Sequence, residues 1–100
     1  MRIIARNKLV AFWSLHPAAQ PSLRHWYEVA TAADWQSPLD VVADFSKAKS
    51  LNGERVRFEV AGGDFRMVVA FDWKRRIAFV KFIGTHAEYD RIDALTVSLF

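Results

Sequence analysis

The hydrophobic period of this 100-residue chain changes near Ser46, and that change restricts its possible folds more than any other feature. Before Ser46, apolar residues recur every three or four positions, which is typical of amphipathic helices. After Ser46, apolar and polar residues alternate, which is typical of strands with one buried face. The pattern predicts a compact α+β fold, with an N-terminal strand and helices packed on one face of an antiparallel sheet.

The first half contains the signals of one short strand and three helices. Its β-branched, apolar opening favours a strand, and Pro17 closes the first helical stripe. Ser37 and Pro38 have the residue types of an N-cap and a first helical position, so they begin the third helix. The predicted elements are a strand over residues 2–5 and helices over residues 7–16, 21–33 and 38–45.

The second half contains three alternating segments separated by turn residues. Gly62 and Gly63 supply the positive φ angles that a tight hairpin needs. In the middle segment, Phe65 and Met67 are predicted to face the core and Arg66 to face away from it. The predicted strands are residues 55–61, 65–71 and 76–83, and the apolar residues Ile92, Leu95, Val97 and Leu99 predict that the segment to Phe100 docks on them.

Composition limits the classes of protein that the chain can belong to. Hydrophobic residues make up 52% and charged residues 25%, so a packed core is expected and disorder is not. The length predicts one domain over residues 1–100. The chain contains no cysteine, which excludes a disulfide scaffold, a thiolate zinc site and a cysteine nucleophile.

Charge and hydropathy give weaker indications about partners and location. The net charge of +3 slightly favours an anionic partner. Apolar runs are far shorter than the ~20 residues that span a bilayer, and the first residues lack the apolar region of a signal peptide. We therefore expect a cytoplasmic protein without a membrane partner.

The most specific local pattern is the segment that follows the third predicted strand. Thr85 and Glu88 have the spacing of a capping box, which begins a helical turn. On such a turn His86, Tyr89 and Asp90 share one face, so an imidazole, a phenol and a carboxylate are grouped where protons can be exchanged. The alternative is structural: His86 caps or faces solvent, Tyr89 packs, and Asp90 accepts backbone hydrogen bonds.

Basic side chains on the strands are candidates for phosphate binding. Arg66 can clamp a phosphate with two parallel hydrogen bonds, and Arg55, Arg57 and Lys81 are similar in kind. The alternative is a solvated strand face, or for Lys81 a stem that packs at the edge of the core. The histidines lack metal-ligand spacing, so we assign no metal site.

Four segments resemble one known family. Residues 58–69 resemble the hairpin of the HigB toxins of the RelE-like superfamily, and residues 84–90, with the form T-H-x-E-Y-D, look like the closing motif of that family. Residues 1–6 and 33–38 also resemble it. The resemblance extends over essentially the whole chain.

That resemblance implies the toxin of a type II toxin–antitoxin system, inhibited by a HigA-type antitoxin with a helix-turn-helix region. It implies an endoribonuclease that cuts mRNA, usually on the translating ribosome, with the RNA 2′-hydroxyl as nucleophile and no metal or cofactor. The implied catalytic residues are Arg66 for the transition state and His86 for acid–base work, with Tyr89 and Asp90 as neighbours that handle protons or orient the imidazole. Lys81 is a candidate for phosphate contact, and together with Arg55 and Arg57 from the strand pattern it makes up the expected RNA-binding residues.

Two other functions remain open. One is a ParE-like toxin that poisons DNA gyrase without RNA chemistry, although such a surface needs no His–Tyr–Asp cluster. The other is a non-catalytic interaction module. Growth arrest that survives both His86→Ala and Arg66→Ala would favour either of these over a nuclease.

Overall fold

The computed structural model describes residues 1–99. Its helices are short and its three longest strands are consecutive, as the period change predicts. The elements are β1 (Arg2–Ile4), α1 (Arg6–Leu15), α2 (Gln20–Ala32), α3 (Pro38–Asp44), β2 (Lys49–Ser50), β3 (Arg55–Val60), β4 (Phe65–Asp72), β5 (Ile77–Thr85) and α4 (His86–Tyr89), with single 3₁₀ turns at Pro17–Ala19 and Ala61–Gly63.

The sheet has five strands in the order β1-β5-β4-β3-β2. The strands β3, β4 and β5 form the predicted antiparallel meander. The N-terminal strand does not pack on a face of this sheet: β1 joins its edge and pairs with β5 in parallel, with Arg2 opposite Ile77, so the sheet is mixed. A parallel pair requires a long connection, and all of the helices from α1 to α3 lie between these two strands in the sequence.

The core lies between the sheet and the helices α1–α3. The edge of the Trp26 ring meets Phe58 of β3, with 5.5 Å between ring centres. The predicted alternation in β3 is confirmed by the burial of Val56, Phe58 and Val60. The fully or almost fully buried core residues include Leu9, Leu23, Ala30, Val41, Met67, Val69, Phe71, Ala78 and Val80.

Capping of α3 differs from the prediction in one respect. Ser37 occupies the N-cap position, but its side chain makes no capping hydrogen bond among the described residues. The Asp40 carboxylate instead accepts a hydrogen bond from the Gln36 backbone N–H at 2.9 Å. A carboxylate in the first turn also interacts favourably with the helix dipole, so Asp40 stabilises the start of α3.

A β-bulge interrupts the pairing of β4 with β5. Val68 lies opposite Phe82 and Val69 lies opposite Val80, so Lys81 is the extra residue. Lys81 therefore faces the same side as Phe82, away from the helices. We call this side of the sheet the open face; it carries Arg55, Arg57, Glu59, Arg66, Val68, Ala70, Phe79, Lys81 and Phe82.

The chain that follows α4 returns across the open face. The Arg55 guanidinium Nη1 donates to the backbone oxygens of Ala94, at 3.0 Å, and Val97, at 2.8 Å. Docking of this segment is thus confirmed, but Leu95 and Leu99 remain exposed, and Phe100 lies outside the described residues. No helix within residues 1–99 is long and apolar enough to cross a bilayer.

Candidate functional site

The short helix α4 is held by the capping box that the sequence predicts. The Glu88 backbone N–H donates to Thr85 Oγ1 at 3.1 Å, and the Thr85 backbone N–H donates to Glu88 Oε1 at 2.9 Å. These hydrogen bonds from Thr85 lower the pKa of the Glu88 carboxyl below its ordinary value. The His86 backbone N–H also donates to Asp64 O at 3.0 Å, so α4 is tied to the turn between β3 and β4.

His86 and Asp90 form a pair along one side of α4. Asp90 Oδ2 lies 3.1 Å from His86 Nδ1, and the two side chains are 60% and 52% exposed, respectively. A carboxylate acceptor favours the tautomer that carries its proton on Nδ1. In that tautomer the lone pair of the imidazole is on Nε2.

Tyr89 connects α4 to the open face. Its ring centre lies 5.9 Å from Arg66 Cζ and 6.2 Å from the centre of the Phe82 ring. The side chain of Phe82 can lie there because Gly84 has no Cβ: a Cβ at that position would be 2.6 Å from Phe82 Cζ. The place of Tyr89 on α4 and its contact with Phe82 therefore position its ring beside the guanidinium.

Glu59 is a carboxylate close to Arg57 and Arg66, and it was not among the candidates selected from the sequence. Glu59 is directly opposite Arg66 in the β3–β4 register, and its Oε2 lies 3.6 Å from Arg57 Nη2. Room for the carboxylate comes from Gly63, where a Cβ would lie 2.9 Å from Glu59 Oε1. The alternation of β3 already placed Glu59 on the face of Arg57, so the signal was present in the sequence.

Two guanidinium nitrogens on the open face are buried without a partner. Within residues 1–99, neither Arg57 Nε nor Arg66 Nε makes a hydrogen bond. Buried donors without an acceptor are costly in free energy. Two arginines with one carboxylate between them carry a net positive charge, so an anion in this region would be attracted.

A comparison with protein families agrees with this arrangement. The family model HigB_toxin, described as the RelE-like toxic component of a toxin-antitoxin system, matches residues 19–92. The chain belongs to this family. No curated protein sequence matches it. The family resemblance is therefore confirmed over residues 19–92, as is the α+β RelE-like fold, and the family description implies an antitoxin partner.

The toxin brings together most, but not all, of the residues selected from its sequence. The end of β4 that carries Arg66 lies next to α4, which carries His86 and Tyr89 and is followed directly by Asp90. Glu59 pairs with Arg57 and lies opposite Arg66, so Arg57 is close to the same group.

The two remaining candidates lie elsewhere on the open face of the toxin. Arg55 holds the C-terminal segment, so its guanidinium already has acceptors. Lys81 lies at the bulge, with Nζ 5.3 Å from the Phe79 ring centre. Neither of these cations is next to His86, because β3 and β5 place them further along the sheet. Within the described part of the toxin, no group of three or more potential ligand side chains is arranged for a metal ion.

Proposed function

We propose that this toxin is an endoribonuclease that cleaves mRNA on the translating ribosome, with the RNA 2′-hydroxyl as nucleophile. The observation that carries the proposal is the contact between Arg66 and α4. The Tyr89 ring lies beside the guanidinium, and His86 and Asp90 pair with each other along the same short turn. Membership in a RelE-like toxin family supports the same chemistry. In the proposed reaction the nucleophile comes from the RNA, so no metal-bound water is required.

The reaction has three physical requirements. The 2′-oxygen loses a proton and forms a bond to phosphorus, the bond from phosphorus to the 5′-oxygen breaks, and the departing 5′-oxygen gains a proton. The products are a 2′,3′-cyclic phosphate and a 5′-hydroxyl. A positioned acid–base group contributes typically 10²–10⁴-fold to such proton transfers, and fixed positive charge stabilises the crowded phosphorus centre.

His86 and Arg66 meet these requirements in the proposed site. His86 Nε2 accepts the proton of the 2′-hydroxyl and passes it to the departing 5′-oxygen, while Asp90 holds Nδ1, and the exposure of the pair lets RNA approach it. Arg66 directs its guanidinium hydrogen bonds at the phosphate, and Tyr89 keeps that guanidinium in place. Arg57 adds a second cation, which pairs with Glu59 opposite Arg66, so we place it among the phosphate contacts.

The same proposal includes the partners and the cellular location. A ribosome presents single-stranded mRNA, which is read through stacking and base edges, and a toxin with a net charge of only +3 relies little on capture of free RNA by its own charge. Translation takes place in the cytoplasm. We propose a HigA-type helix-turn-helix protein as the antitoxin, and a single toxin domain over residues 1–100.

Primer extension on a reporter mRNA tests the proposal. The wild type, His86→Ala and Arg66→Ala are induced separately, with translation either active or blocked. His25→Ala and Arg24→Ala are matched controls because both side chains are exposed on α2. We expect discrete cuts within translated codons that are lost in His86→Ala and Arg66→Ala, retained in both controls, and absent when translation is blocked.

Intact mRNA during growth arrest by the wild type would contradict the proposal. In that case gyrase poisoning or a purely binding role would explain the arrest. Cleavage that continues after translation is blocked would preserve the nuclease and remove the ribosome from its mechanism.

A further inference from the structure

A further cation, Lys49, lies directly opposite Arg57, and it was not among the candidates selected from the sequence. Lys49 of β2 pairs with Arg57 of β3 in antiparallel register. Residues directly opposite in such a pair carry their side chains on the same face, with about 5 Å between their Cα atoms. Lys49 is therefore on the open face, on the side of Arg57 that is away from β4.

The two cations differ in how much of their charge is already used. The Arg57 side chain is only 17% exposed, and Glu59 offsets its charge, with 3.6 Å between Arg57 Nη2 and Glu59 Oε2. Lys49 is exposed, and it makes no ion pair within residues 1–99. Like charges that lie directly opposite on two strands disfavour the pairing of those strands. An anion bound at Lys49 removes that repulsion, so the pair is suited to hold one.

The outer edge of β3 is open next to this pair. β2 has only two residues, and its pairing with β3 ends at Arg57. A cleft of about 250 Å³ opens beyond that point, and its charged lining is Lys47, Asp44 and Glu59. One lysine against two carboxylates disfavours a phosphate inside the cleft, because like charges repel. A phosphate that approaches this edge of the sheet is therefore directed to Lys49 and Arg57.

We propose that Lys49 and Arg57 bind a non-scissile phosphate of the substrate RNA, close to the cut. The proposal rests on the proposed ribonuclease function and adds a phosphate subsite to it. Lys49 lies two strands from Arg66 and two residues along the register, which is about 12 Å between backbones at ~4.8 Å per strand and ~3.3 Å per residue. A phosphate at Lys49 is thus distinct from the one at Arg66, and the RNA backbone passes from β4 across β3 to the β2 edge.

An exposed lysine on an edge strand also has a purely structural explanation. Charged side chains at such an edge prevent another chain from adding to the sheet. That role requires no charge at any particular position of the RNA. The two explanations therefore predict different results when a single phosphate of the substrate is neutralised.

Ribosome-bound mRNAs that each contain one methylphosphonate linkage test the subsite. This linkage replaces a charged phosphate oxygen by a methyl group, and it is placed at each phosphate flanking the cut in turn. With unmodified mRNA we expect KM to rise about twofold to fivefold in Lys49→Ala, as for loss of an exposed ion pair. We expect kcat to stay unchanged, because this phosphate does not react.

The position of the methylphosphonate identifies the phosphate. In the wild type, one flanking position should raise KM by a factor similar to that of Lys49→Ala. In Lys49→Ala the same position should cost nothing further, because both changes remove one interaction. The other positions should affect the wild type and Lys49→Ala equally.

Lys74→Ala is the matched control. Lys74 is an exposed lysine in the turn between β4 and β5, at the other end of β4 from Arg66. Its substitution removes the same charge and should leave KM and the effect of each methylphosphonate unchanged. Thermal unfolding of each variant identifies any that fails to fold.

A second variant, Lys49→Gln, separates the charge from the stem of the lysine. It keeps most of the stem and should behave as Lys49→Ala does, and it takes the place of Lys49→Ala if that variant fails to fold. A wild-type KM in Lys49→Gln would mean that the stem, and not the charge, accounts for any effect of Lys49→Ala, and would overturn the subsite.

The remaining failures are distinguishable from one another. A folded Lys49→Ala variant with the KM of the wild type would overturn the subsite and leave the ribonuclease intact. A rise in KM that adds to the effect of every methylphosphonate would also overturn it, because Lys49 would then contact something other than a flanking phosphate. A wild type that cleaves no ribosome-bound mRNA would overturn the ribonuclease function, and the subsite with it.

Discussion

At the residue scale, the Arg66 guanidinium lies beside the Tyr89 ring, with 5.9 Å from Cζ to the ring centre. Glu59 lies opposite Arg66 on β3, and its carboxylate pairs with Arg57. An aromatic face attracts a cation, so the Tyr89 ring favours one placement of the planar group. The proposed reaction depends on that placement, because a preorganised charge stabilises a transition state without further rearrangement.

Substitution of Arg66 by lysine separates geometry from charge. Lysine keeps the positive charge but lacks the planar fork that forms two parallel hydrogen bonds with a phosphate. In the ribosome-bound cleavage assay we expect kcat to fall about 10²–10³-fold in Arg66→Ala, as for loss of one transition-state donor, and Arg66→Lys to recover only a small part of that loss. Full activity in Arg66→Lys would show that charge alone is sufficient. Arg24→Lys, on the exposed side of α2, is the matched control.

At the scale of elements, the helix α4 has only four residues, so its ends determine whether it forms. A short helix gains little from its own backbone hydrogen bonds. The capping box with Thr85 and the hydrogen bond from His86 N–H to Asp64 O supply partners at its N-terminus. The orientation of His86 and Asp90 therefore depends on a carboxylate, Glu88, that has no part in the proposed chemistry.

The stability that Glu88 contributes should depend on pH. Hydrogen bonds from Thr85 lower the pKa of the Glu88 carboxyl below its ordinary value of 4.5. A lowered pKa in the folded state means that the contribution is complete above about pH 4.5 and is lost as the pH falls through the lowered pKa. We expect Glu88→Gln to cost about 0.5–1 kcal/mol near neutral pH, at the low end for a cap because the group is exposed, and the difference from wild type to shrink in acid.

Urea unfolding and amide exchange at Thr85 measure this dependence. The Thr85 N–H should exchange faster in Glu88→Gln above pH 4.5 and approach the wild-type behaviour in acid. Glu28→Gln, an exposed position on α2, should change neither quantity. A loss of stability that is constant at all pH values would mean that the glutamine disturbs α4 by its packing and not by loss of charge.

Features encoded locally could be predicted from the sequence, whereas features that depend on distant pairing could not. The capping box of Thr85 and Glu88 was predictable because its residues are three positions apart. The parallel pairing of Arg2 with Ile77 joins residues 75 positions apart in the chain, and no local pattern encodes it. The bulge at Lys81 adds one residue to β5, and the sequence shows only alternation on either side of it.

The same distinction applies to the candidate site. Grouping of His86, Tyr89 and Asp90 follows from helical spacing, and the structure places Tyr89 beside Arg66. The position of Glu59 opposite Arg66 depends on strand register. The engagement of Arg55 with the C-terminal segment depends on the path of the chain after α4. The surroundings of the cations on the strands therefore depend on register and chain path, which residue type alone does not encode.

The charge of the whole molecule is small, but its distribution is uneven. The net charge is only +3, yet the cations Arg55, Arg57, Arg66 and Lys81 all lie on the open face, opposite the helices. Glu59 offsets part of this charge at one end and Asp72 does so at the other. A single-stranded RNA that crosses this face therefore meets cations along its length, with the proposed cut at Arg66.

The C-terminal segment and the RNA share this face, and Arg55 determines where the segment lies. Its two hydrogen bonds to Ala94 O and Val97 O are made by a charged donor in a partly buried position. We expect Arg55→Ala to lower the free energy of unfolding by about 1–3 kcal/mol and to speed amide exchange over residues 93–97. Arg75→Ala, at a site where the side chain is 78% exposed, should stay within about 0.5 kcal/mol of wild type.

Salt dependence then distinguishes a structural arginine from one that contacts RNA. Each phosphate contact contributes about one unit to the slope of log affinity against log salt concentration, somewhat less for single strands. Arg57→Ala should reduce this slope for ribosome-bound mRNA, because Arg57 is the cation that Glu59 joins to the proposed site at Arg66. Arg55→Ala should leave the slope unchanged, since its guanidinium is already used by Ala94 and Val97. If Arg55→Ala reduces the slope without faster amide exchange of the C-terminal segment, Arg55 contacts RNA and does not only hold the segment.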